Sequence, residues 1–167
     1  MVDAQSEKPQ PNREVQASPE APRKKLTEAF HFEDDTTTAM LMARYLKFDG
    51  IKSTHAATYP KAVLLFQERQ ELVKKGEAEP IPWAILDWDG IGGQGSDMAK
   101  MFHDESPSTA LTVVTGRSYD NKDLQELREK GVDFSYLGKG AITLDDLKPH
   151  IERAEKILNN EPLDEKQ

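Results

Sequence analysis

The sequence predicts an α/β domain in which helices cover both faces of a parallel β-sheet. Apolar, strand-like runs alternate with amphipathic helical segments five times between about residues 26 and 160. Alternation of this kind is typical of a parallel sheet whose strands are joined by right-handed helical crossovers. The length of 167 residues suits one such domain with its own core, and the longest apolar runs are far too short to span a membrane.

Each predicted strand is a short run followed by a turn or a helix start, and the second of them has only a weak strand pattern. The runs lie at residues 29–32, 53–57, 83–87, 110–115 and 134–137. Apolar residues at helical spacing predict the helices, which include residues 40–48, 62–73, 98–102, 124–130 and 147–158. The hydroxyls of the three threonines at 36–38 are expected to cap the first helix. Thr143 and Asp146 form a capping-box pattern before the last helix, whose exact start Pro149 leaves open.

Two terminal segments lack the composition of a folded domain. Residues 1–25 combine prolines and charges with almost nothing apolar, so they are predicted to be disordered. Residues 161–167 are predicted to form a flexible tail, which leaves a domain at about 26–160. The first 25 residues lack the apolar segment of a secretory signal and the chain has no cysteine, which favours a cytoplasmic protein.

The overall charge excludes some classes of partner. A net charge of −8 disfavours direct binding to nucleic acid, which depends on neutralising phosphates, and to an anionic membrane surface. A protein partner or a small ionic ligand is therefore expected. The four histidines show no mutual spacing typical of metal ligands and are interpreted as ordinary core or surface residues.

Residues capable of phosphoryl chemistry follow four of the predicted strands. Glu33 and Asp34 follow the first strand, Asp87 ends the third, Thr115 ends the fourth, and Lys139 lies just beyond the fifth. The carboxyl ends of parallel strands share one edge of the sheet, where open α/β sheets bind their ligands. Carboxylates, a hydroxyl and an ammonium group at that edge predict a site for Mg²⁺ and a phosphoryl group.

Taken in this order, these residues resemble the receiver domain of bacterial response regulators over about residues 27–159. The resemblance includes Tyr136, an aromatic residue three positions before Lys139. It implies a flavodoxin-like fold with one doubly wound, five-stranded parallel sheet in the order 2-1-3-4-5. It also implies that Asp87 is the phosphoacceptor and that Tyr136 is a switch residue.

The same resemblance implies roles for the other residues at the sheet edge. Mg²⁺ would be held by oxygen ligands, which come from Glu33, Asp34, Asp87 and the main-chain carbonyl of Asp89. Asp87 would act as the nucleophile, while Lys139 and Thr115 would bind phosphoryl oxygens. Asp35 is an ambiguous third acid. The acidic pair is assigned as Glu33 and Asp34 because this register also places Gly50 at the end of the first helix.

The resemblance implies a signalling switch rather than a turnover enzyme. The phosphoryl group would come from a histidine kinase or a histidine phosphotransfer protein, and phosphorylation would change a face that contacts a downstream protein. One residue departs from the family pattern, because Gly140 stands where these domains usually have a proline after a cis peptide bond. A cis bond before a non-proline residue costs about 2.5–4 kcal/mol, so the geometry of this loop is left open.

A phosphohydrolase is one alternative. Asp87-Trp88-Asp89-Gly90 resembles the nucleophile motif of haloacid-dehalogenase-like phosphatases, in which Asp89 would be the general acid/base. Residues 113–117 resemble the second motif, and Lys139 with residues 145–146 would have to supply the others. Against this interpretation, residues 145–146 follow Lys139 too closely to end another strand, and the acids after the first strand are left unexplained.

Two further alternatives remain. Gly90, Gly92 and Gly95 form the G-x-G-x-x-G pattern of a dinucleotide site, but Asp87 and Asp89 would repel the pyrophosphate. A receiver-like interaction module that never requires phosphorylation is the other alternative.

Overall fold

The computed structural model describes residues 22–89 and 95–163. Most of the two predicted tails, together with Gly90 and Gly92, lies outside these ranges. Strands and helices alternate along the described residues in the order β1 (Glu28–Phe32), α1 (Thr36–Phe48), β2 (Lys52–Ala56), α2 (Tyr59–Lys74), β3 (Trp83–Asp87), α3 (Gly95–Glu105), β4 (Ala110–Thr115), α4 (Lys122–Glu129), β5 (Ser135–Gly138) and α5 (Leu144–Leu158). None of the helices within these ranges has the length and apolar character needed to cross a bilayer.

The five strands form one parallel sheet in the order β2-β1-β3-β4-β5. This order confirms the predicted α/β fold class with a doubly wound, flavodoxin-like sheet. The strand order reverses next to β1, and the carboxyl ends of β1 and β3 are neighbours there. The sheet therefore has the crevice in which open α/β proteins bind ligands.

Successive side chains of the strands enter two separate cores, because they alternate between the faces of the sheet. Phe30 and Leu86 pack with residues of α2, α3 and α4 on one face. Trp83 and Ile85 pack with residues of α1 and α5 on the other. β3 and β4 are buried along their whole length, as expected for parallel strands covered on both faces.

The start of α1 differs from the sequence prediction. The N-cap is Asp35 rather than one of the threonines, and its carboxylate accepts a hydrogen bond from the Thr38 backbone N–H at 2.7 Å. A carboxylate is a strong N-cap acceptor and is favoured by the helix dipole, which explains why it replaces a hydroxyl here. The capping box of Thr143 and Asp146 is confirmed, and α5 continues through Pro149.

The loop after β5 is built without a cis peptide bond, since none occurs among the described residues. Ile142 instead donates its backbone N–H to the Gly140 carbonyl at 2.9 Å, which closes a tight turn before α5. The two ends of the described chain also meet. The backbone N–H of Lys24 donates to Asn159 Oδ1 at 2.8 Å, and Asn159 Nδ2 donates back to the Lys24 carbonyl at 2.9 Å.

Candidate functional site

The backbone holds the predicted site residues at one edge of the sheet, because strand pairing continues beyond the regular strands. The N–H of Glu33 donates to the Ala56 carbonyl at 3.1 Å, and the N–H of Lys139 donates to the Thr115 carbonyl at 2.6 Å. Asp87 is the last residue of β3, and β3 lies between β1 and β4 in the sheet. The side chains that sequence reasoning placed at this edge are therefore brought to neighbouring positions.

Lys139 joins the two buried carboxylates of the site. Its Nζ lies 2.8 Å from Asp87 Oδ2 and 3.1 Å from Glu33 Oε1. Both acids are only 1% exposed, so each needs a compensating positive charge. Burial acts to lower the pKa of Lys139, but its hydrogen bonds with Asp87 and Glu33 outweigh that effect and raise the pKa. The ammonium group is therefore charged at neutral pH.

Glu33 binds its proton more tightly than an ordinary glutamate does. Burial and the neighbouring charge of Asp87 raise its pKa to about 7, although hydrogen bonds from Asp35 and Lys139 oppose this rise. The cluster sets three carboxyl groups against the single ammonium group of Lys139. A divalent cation would supply the missing positive charge.

Three of the four predicted metal ligands converge. Glu33, Asp34 and Asp87 can each present an oxygen atom such that all three lie within 4.8 Å of one another. Hard oxygen ligands from one or two carboxylates, completed by water, are what Mg²⁺ requires, so the residues fit the ion. The predicted fourth ligand, the main-chain carbonyl of Asp89, stays a prediction. Asp35 caps α1 instead, and its exposed side chain has a separate role.

Thr115 and Asp89 form a second part of the site. The Thr115 hydroxyl is fully buried and donates to Asp89 Oδ2 at 2.9 Å. The backbone N–H of Asp89 donates in turn to Asp87 Oδ1 at 3.1 Å. The hydroxyl is therefore linked through Asp89 to the candidate phosphoacceptor, but its proton is already used by a carboxylate.

Arg117 is a residue of this region to which sequence reasoning gave no role in a receiver site. Its Nε donates to Asp89 Oδ1 at 2.9 Å, and its Nη1 donates to Asp123 Oδ2 at 2.5 Å. The sequence feature that could have identified Arg117 is its position two residues after Thr115, the predicted site residue at the end of β4. Both acids and Arg117 line a cleft of about 330 Å³, to which Trp88 and Lys100 also contribute.

Tyr136 lies on the outer side of this network. Its hydroxyl donates to the Arg117 carbonyl at 2.5 Å, and its ring meets the Tyr119 ring edge-on with centroids 5.5 Å apart. The Arg128 guanidinium lies 4.2 Å from the Tyr119 ring centroid. The predicted switch residue thus contacts the loop that begins at Thr115.

Two of the histidines that the sequence analysis interpreted as ordinary core or surface residues lie near the site. His31 precedes Glu33 on the same face of β1, and its ring lies 5.5 Å from that of His55. Burial, His55 and Lys139 lower the pKa of His31 to about 3, so it is neutral. His55 Nε2 lies 2.7 Å from the Glu33 carbonyl and must donate to it. The parallel register of β1 and β2, which places His31 opposite His55, brings these rings together.

The third glycine of the G-x-G-x-x-G pattern has a packing role. A Cβ atom on Gly95 would lie 2.4 Å from the Asp87 carbonyl oxygen and 2.6 Å from the Trp88 Cα. The first turn of α3 therefore approaches the end of β3 more closely than any side chain allows. This contact explains one glycine of the motif without a dinucleotide, while the other two lie outside the described residues.

Comparison with known proteins identifies the fold as that of receiver domains. No protein-family model matches the chain, and no curated protein matches its sequence. Among solved structures, a response regulator receiver domain protein from Clostridium thermocellum is similar, with 23% identity, a TM-score of 0.63, and coverage of 78% of this chain and 95% of that one. At this level of identity the similarity shows the fold alone.

Two further structures show the same similarity. A response regulator from Burkholderia pseudomallei, solved with a phosphorylated aspartic acid, a calcium ion and citrate, shares 18% identity with a TM-score of 0.60. The match covers 80% of this chain and 72% of that one. A structure named adenylate cyclase, from Rhodopirellula baltica, shares 20% identity with a TM-score of 0.64, covering 79% of this chain and 89% of that one.

Proposed function

We propose that this chain is the phosphoacceptor receiver of a two-component or phosphorelay system. The observation that carries the proposal is the convergence of Asp87 with Glu33, Asp34 and Lys139 at the strand-order reversal of a receiver fold. A lone buried aspartate at a strand end has many explanations. Asp87, by contrast, contacts the same lysine as Glu33, and its oxygen lies close to oxygens of both Glu33 and Asp34. This arrangement fits phosphoryl transfer far better.

In the proposed reaction, an Asp87 carboxylate oxygen attacks the phosphorus atom of the donor. A new O–P bond forms as the bond between phosphorus and the donor breaks, and the donor leaves with the electron pair of that bond. Lys139 already lies 2.8 Å from an Asp87 oxygen and would pair with the transferred group. Bound Mg²⁺ would neutralise charge between the carboxylates and the phosphoryl oxygens.

The structural neighbours support this chemistry indirectly. The response regulator from Burkholderia pseudomallei carries a phosphorylated aspartic acid and a calcium ion. Transferred to this chain as a proposal, those features correspond to Asp87 and to a cation bound by the acidic cluster. We propose Mg²⁺ as the physiological ion. Mg²⁺ usually keeps several water ligands, so a site with a few carboxylates and open positions suits it better than a site in which the protein supplies every ligand.

The phosphohydrolase alternative agrees less well with the geometry. Both oxygens of the Asp89 carboxylate are engaged, one by Thr115 and one by Arg117, so this group is not poised as a general acid. Asp145 pairs with Lys148, and Asp146 completes the capping box of α5. The acids required for the last hydrolase motif therefore have structural partners at the start of a helix.

The proposed partners follow from the proposed chemistry. A histidine kinase or histidine phosphotransfer protein in the cytoplasm would supply the phosphoryl group, and a downstream protein would contact the face formed by α4, β5 and α5. Tyr136 lies on β5 and contacts the loop before α4, so it is the proposed switch residue of that face.

Mass spectrometry of the intact protein tests the proposal. Incubation with acetyl phosphate and Mg²⁺ should add one phosphoryl group to wild type and none to Asp87→Asn, because the amide is not a nucleophile. Omission of Mg²⁺ is the matched control and should slow the reaction strongly. Modification that persists in Asp87→Asn would assign the phosphoacceptor elsewhere, and rapid multiple turnover of a phosphate monoester by wild type would favour the hydrolase.

A further inference from the structure

The Thr115 hydroxyl has a carboxylate acceptor in this structure. It donates to Asp89 Oδ2 at 2.9 Å, inside a region where Thr115 itself is fully buried. A hydroxyl group has one proton, so it cannot donate to Asp89 and to a phosphoryl oxygen at the same time. If Asp87 is phosphorylated as proposed above, the two acceptors compete for one donor.

Arg117 holds Asp89 in this position from the opposite side. The guanidinium donates to the other carboxylate oxygen of Asp89 at 2.9 Å and to Asp123 at 2.5 Å. Bridging two carboxylates requires a planar group with several donors, which arginine provides and lysine does not. Each oxygen of Asp89 thus has its own charge-assisted or buried donor, so the carboxylate is fixed against the Thr115 hydroxyl.

We propose that Asp89 is an internal anion that occupies the phosphoryl-binding hydroxyl of Thr115, and that Arg117 is the positioning residue for it. This inference rests on the proposed function. Phosphorylation of Asp87 would then require an exchange, in which the Thr115 hydroxyl turns from Asp89 to a phosphoryl oxygen while Asp89 keeps its ion pair with Arg117. The exchange slows phosphorylation in the resting protein.

Arg117 also connects this exchange to residues at the surface. Arg117 also binds Asp123, which lies in the first turn of α4, and its carbonyl accepts from the Tyr136 hydroxyl. Release of Asp89 by Thr115 leaves Arg117 as its remaining side-chain donor, so the Asp89 carboxylate can shift with the guanidinium. The start of α4 and the Tyr136 side chain are the groups that sense this change.

A double-mutant cycle tests the competition. Asp89→Ala removes the carboxylate but keeps the main-chain carbonyl, and Thr115→Val removes the hydroxyl. The readout is the rate of phosphorylation by acetyl phosphate with Mg²⁺, measured by intact mass. We expect Asp89→Ala to be about tenfold faster than wild type, since hydrogen bonds to charged groups are among the stronger ones. In the Thr115→Val background the same change should alter the rate less than about twofold.

Three controls separate competition from a general charge effect. Asp120→Asn removes one negative charge from the exposed loop between β4 and α4, and it should leave the rate within about twofold of wild type. Arg117→Gln should accelerate phosphorylation less than Asp89→Ala, because Asp89 loses only one of its two donors. Arg117→Lys should restore part of the wild-type rate. Asp89 and Arg117 are 38% and 41% exposed in their side chains, so both variants should keep the fold.

The possible failures are distinguishable. If wild type accepts a phosphoryl group but Asp89→Ala is no faster, the competition does not exist. An acceleration that persists in full with Thr115→Val would also overturn it, because the effect would then be electrostatic only. If neither wild type nor any variant is phosphorylated, the proposed function itself is wrong, and this inference falls with it.

Discussion

At the scale of single residues, the site is a balance between one ammonium group and a surplus of buried carboxylates. Lys139 contacts Asp87 and Glu33 at once, yet Glu33 still has a pKa of about 7. Such surplus charge is expected to destabilise the fold in the absence of a cation and to favour cation binding. Stability and metal binding are therefore expected to change in opposite directions when a carboxylate is removed.

Glu33→Gln should show these opposite changes. The amide keeps the shape of the side chain but removes its charge, so Mg²⁺ affinity should fall about tenfold or more. In EDTA at pH 8 the variant should be more stable than wild type by about 1–2 kcal/mol, because it no longer buries a charged carboxylate beside Asp87. Urea unfolding with and without Mg²⁺ measures both effects. Equal Mg²⁺ affinity in the two proteins would place the metal elsewhere.

The pH dependence of the metal-free protein follows from the same group. The pKa of Glu33 is about 7 in the folded state, above its ordinary value of 4.5, so the folded protein binds a proton that the unfolded chain releases between these values. The Glu33 contribution to stability should therefore rise as pH falls from about 7 to about 5, whereas buried His31, whose pKa is lowered to about 3, has the opposite effect in this range. The stability of wild type relative to Glu33→Gln should therefore increase as pH falls, because the variant keeps His31 and lacks only the Glu33 carboxyl. Urea unfolding in EDTA at several pH values checks it, and parallel profiles would contradict the role of Glu33.

Residue identities at strand ends were accessible to sequence reasoning, because parallel strands bring their carboxyl ends together whatever the details of packing. Glu33, Asp87 and Lys139 come together for that reason. Arg117 could not be assigned in this way, since its two ion pairs depend on the path of a loop. The pairing of His31 with His55 likewise depends on strand register, which the sequence alone does not specify.

At the scale of elements, the closest contact beside the site joins α3 to β3. Gly95 begins α3, and the space where its side chain would lie is occupied by the backbone of Asp87 and Trp88. Backbone atoms cannot turn aside as a flexible side chain can. The position of the strand end that carries Asp87 and the position of α3 are therefore coupled.

Gly95→Ala should disturb both positions. We expect a loss of about 1–3 kcal/mol in the free energy of unfolding, as for other overpacked sites, together with slower phosphorylation of Asp87. Gly140→Ala is the matched control, because a Cβ at Gly140 meets nothing within 4 Å and should change stability by less than about 0.5 kcal/mol. Urea unfolding and intact-mass kinetics measure the two effects. Equal stability of the two variants would contradict the close approach.

Asp35 offers a test that separates helix capping from metal binding. Hydrogen bonds from Thr38 lower the pKa of its carboxyl, and the side chain points to the first turn of α1. Asp35→Ala should lower the urea midpoint but leave Mg²⁺ affinity within about twofold of wild type, whereas Asp34→Asn should weaken Mg²⁺ binding about tenfold. Mg²⁺ titration of both variants provides the comparison. A large loss of affinity in Asp35→Ala would return this residue to the metal site.

Element order and type were predictable because each strand and helix has its own periodic pattern, but their ends were less so. The sequence offered three threonines and Asp35 as caps for α1, and only the geometry of the turn selected the carboxylate. The boundary of α5 was also difficult to predict, because Pro149 suggested an interruption. The helix is in fact continuous through this proline, which lies about two turns from the cap. Capping choices depend on backbone angles that a list of candidate residues does not contain.

At the scale of the whole molecule, the sheet places the candidate phosphoacceptor in the middle and the candidate switch residue at one edge. β4 lies between them, and the Thr115 hydroxyl at its end donates to Asp89 and accepts from the backbone N–H of Arg117. The Arg117 carbonyl in turn accepts from the Tyr136 hydroxyl. A change at the site can therefore reach β5 without deformation of the core. This arrangement favours a shift between two discrete positions of Thr115 and Tyr136.

NMR spectra recorded on addition of beryllofluoride and Mg²⁺ test this shift, since beryllofluoride mimics a phosphoryl group on an aspartate. When Thr115 turns to the new anion, Tyr136 should lose its bond to the Arg117 carbonyl and its edge contact with Tyr119. Backbone chemical-shift changes should then cluster on residues 115–150, well beyond the strand ends that bind the ligand. Asp87→Asn is the control and should show none of them. Changes confined to residues near 33, 87 and 139 would mean that the anion binds without switching, which would favour a receiver-like interaction module.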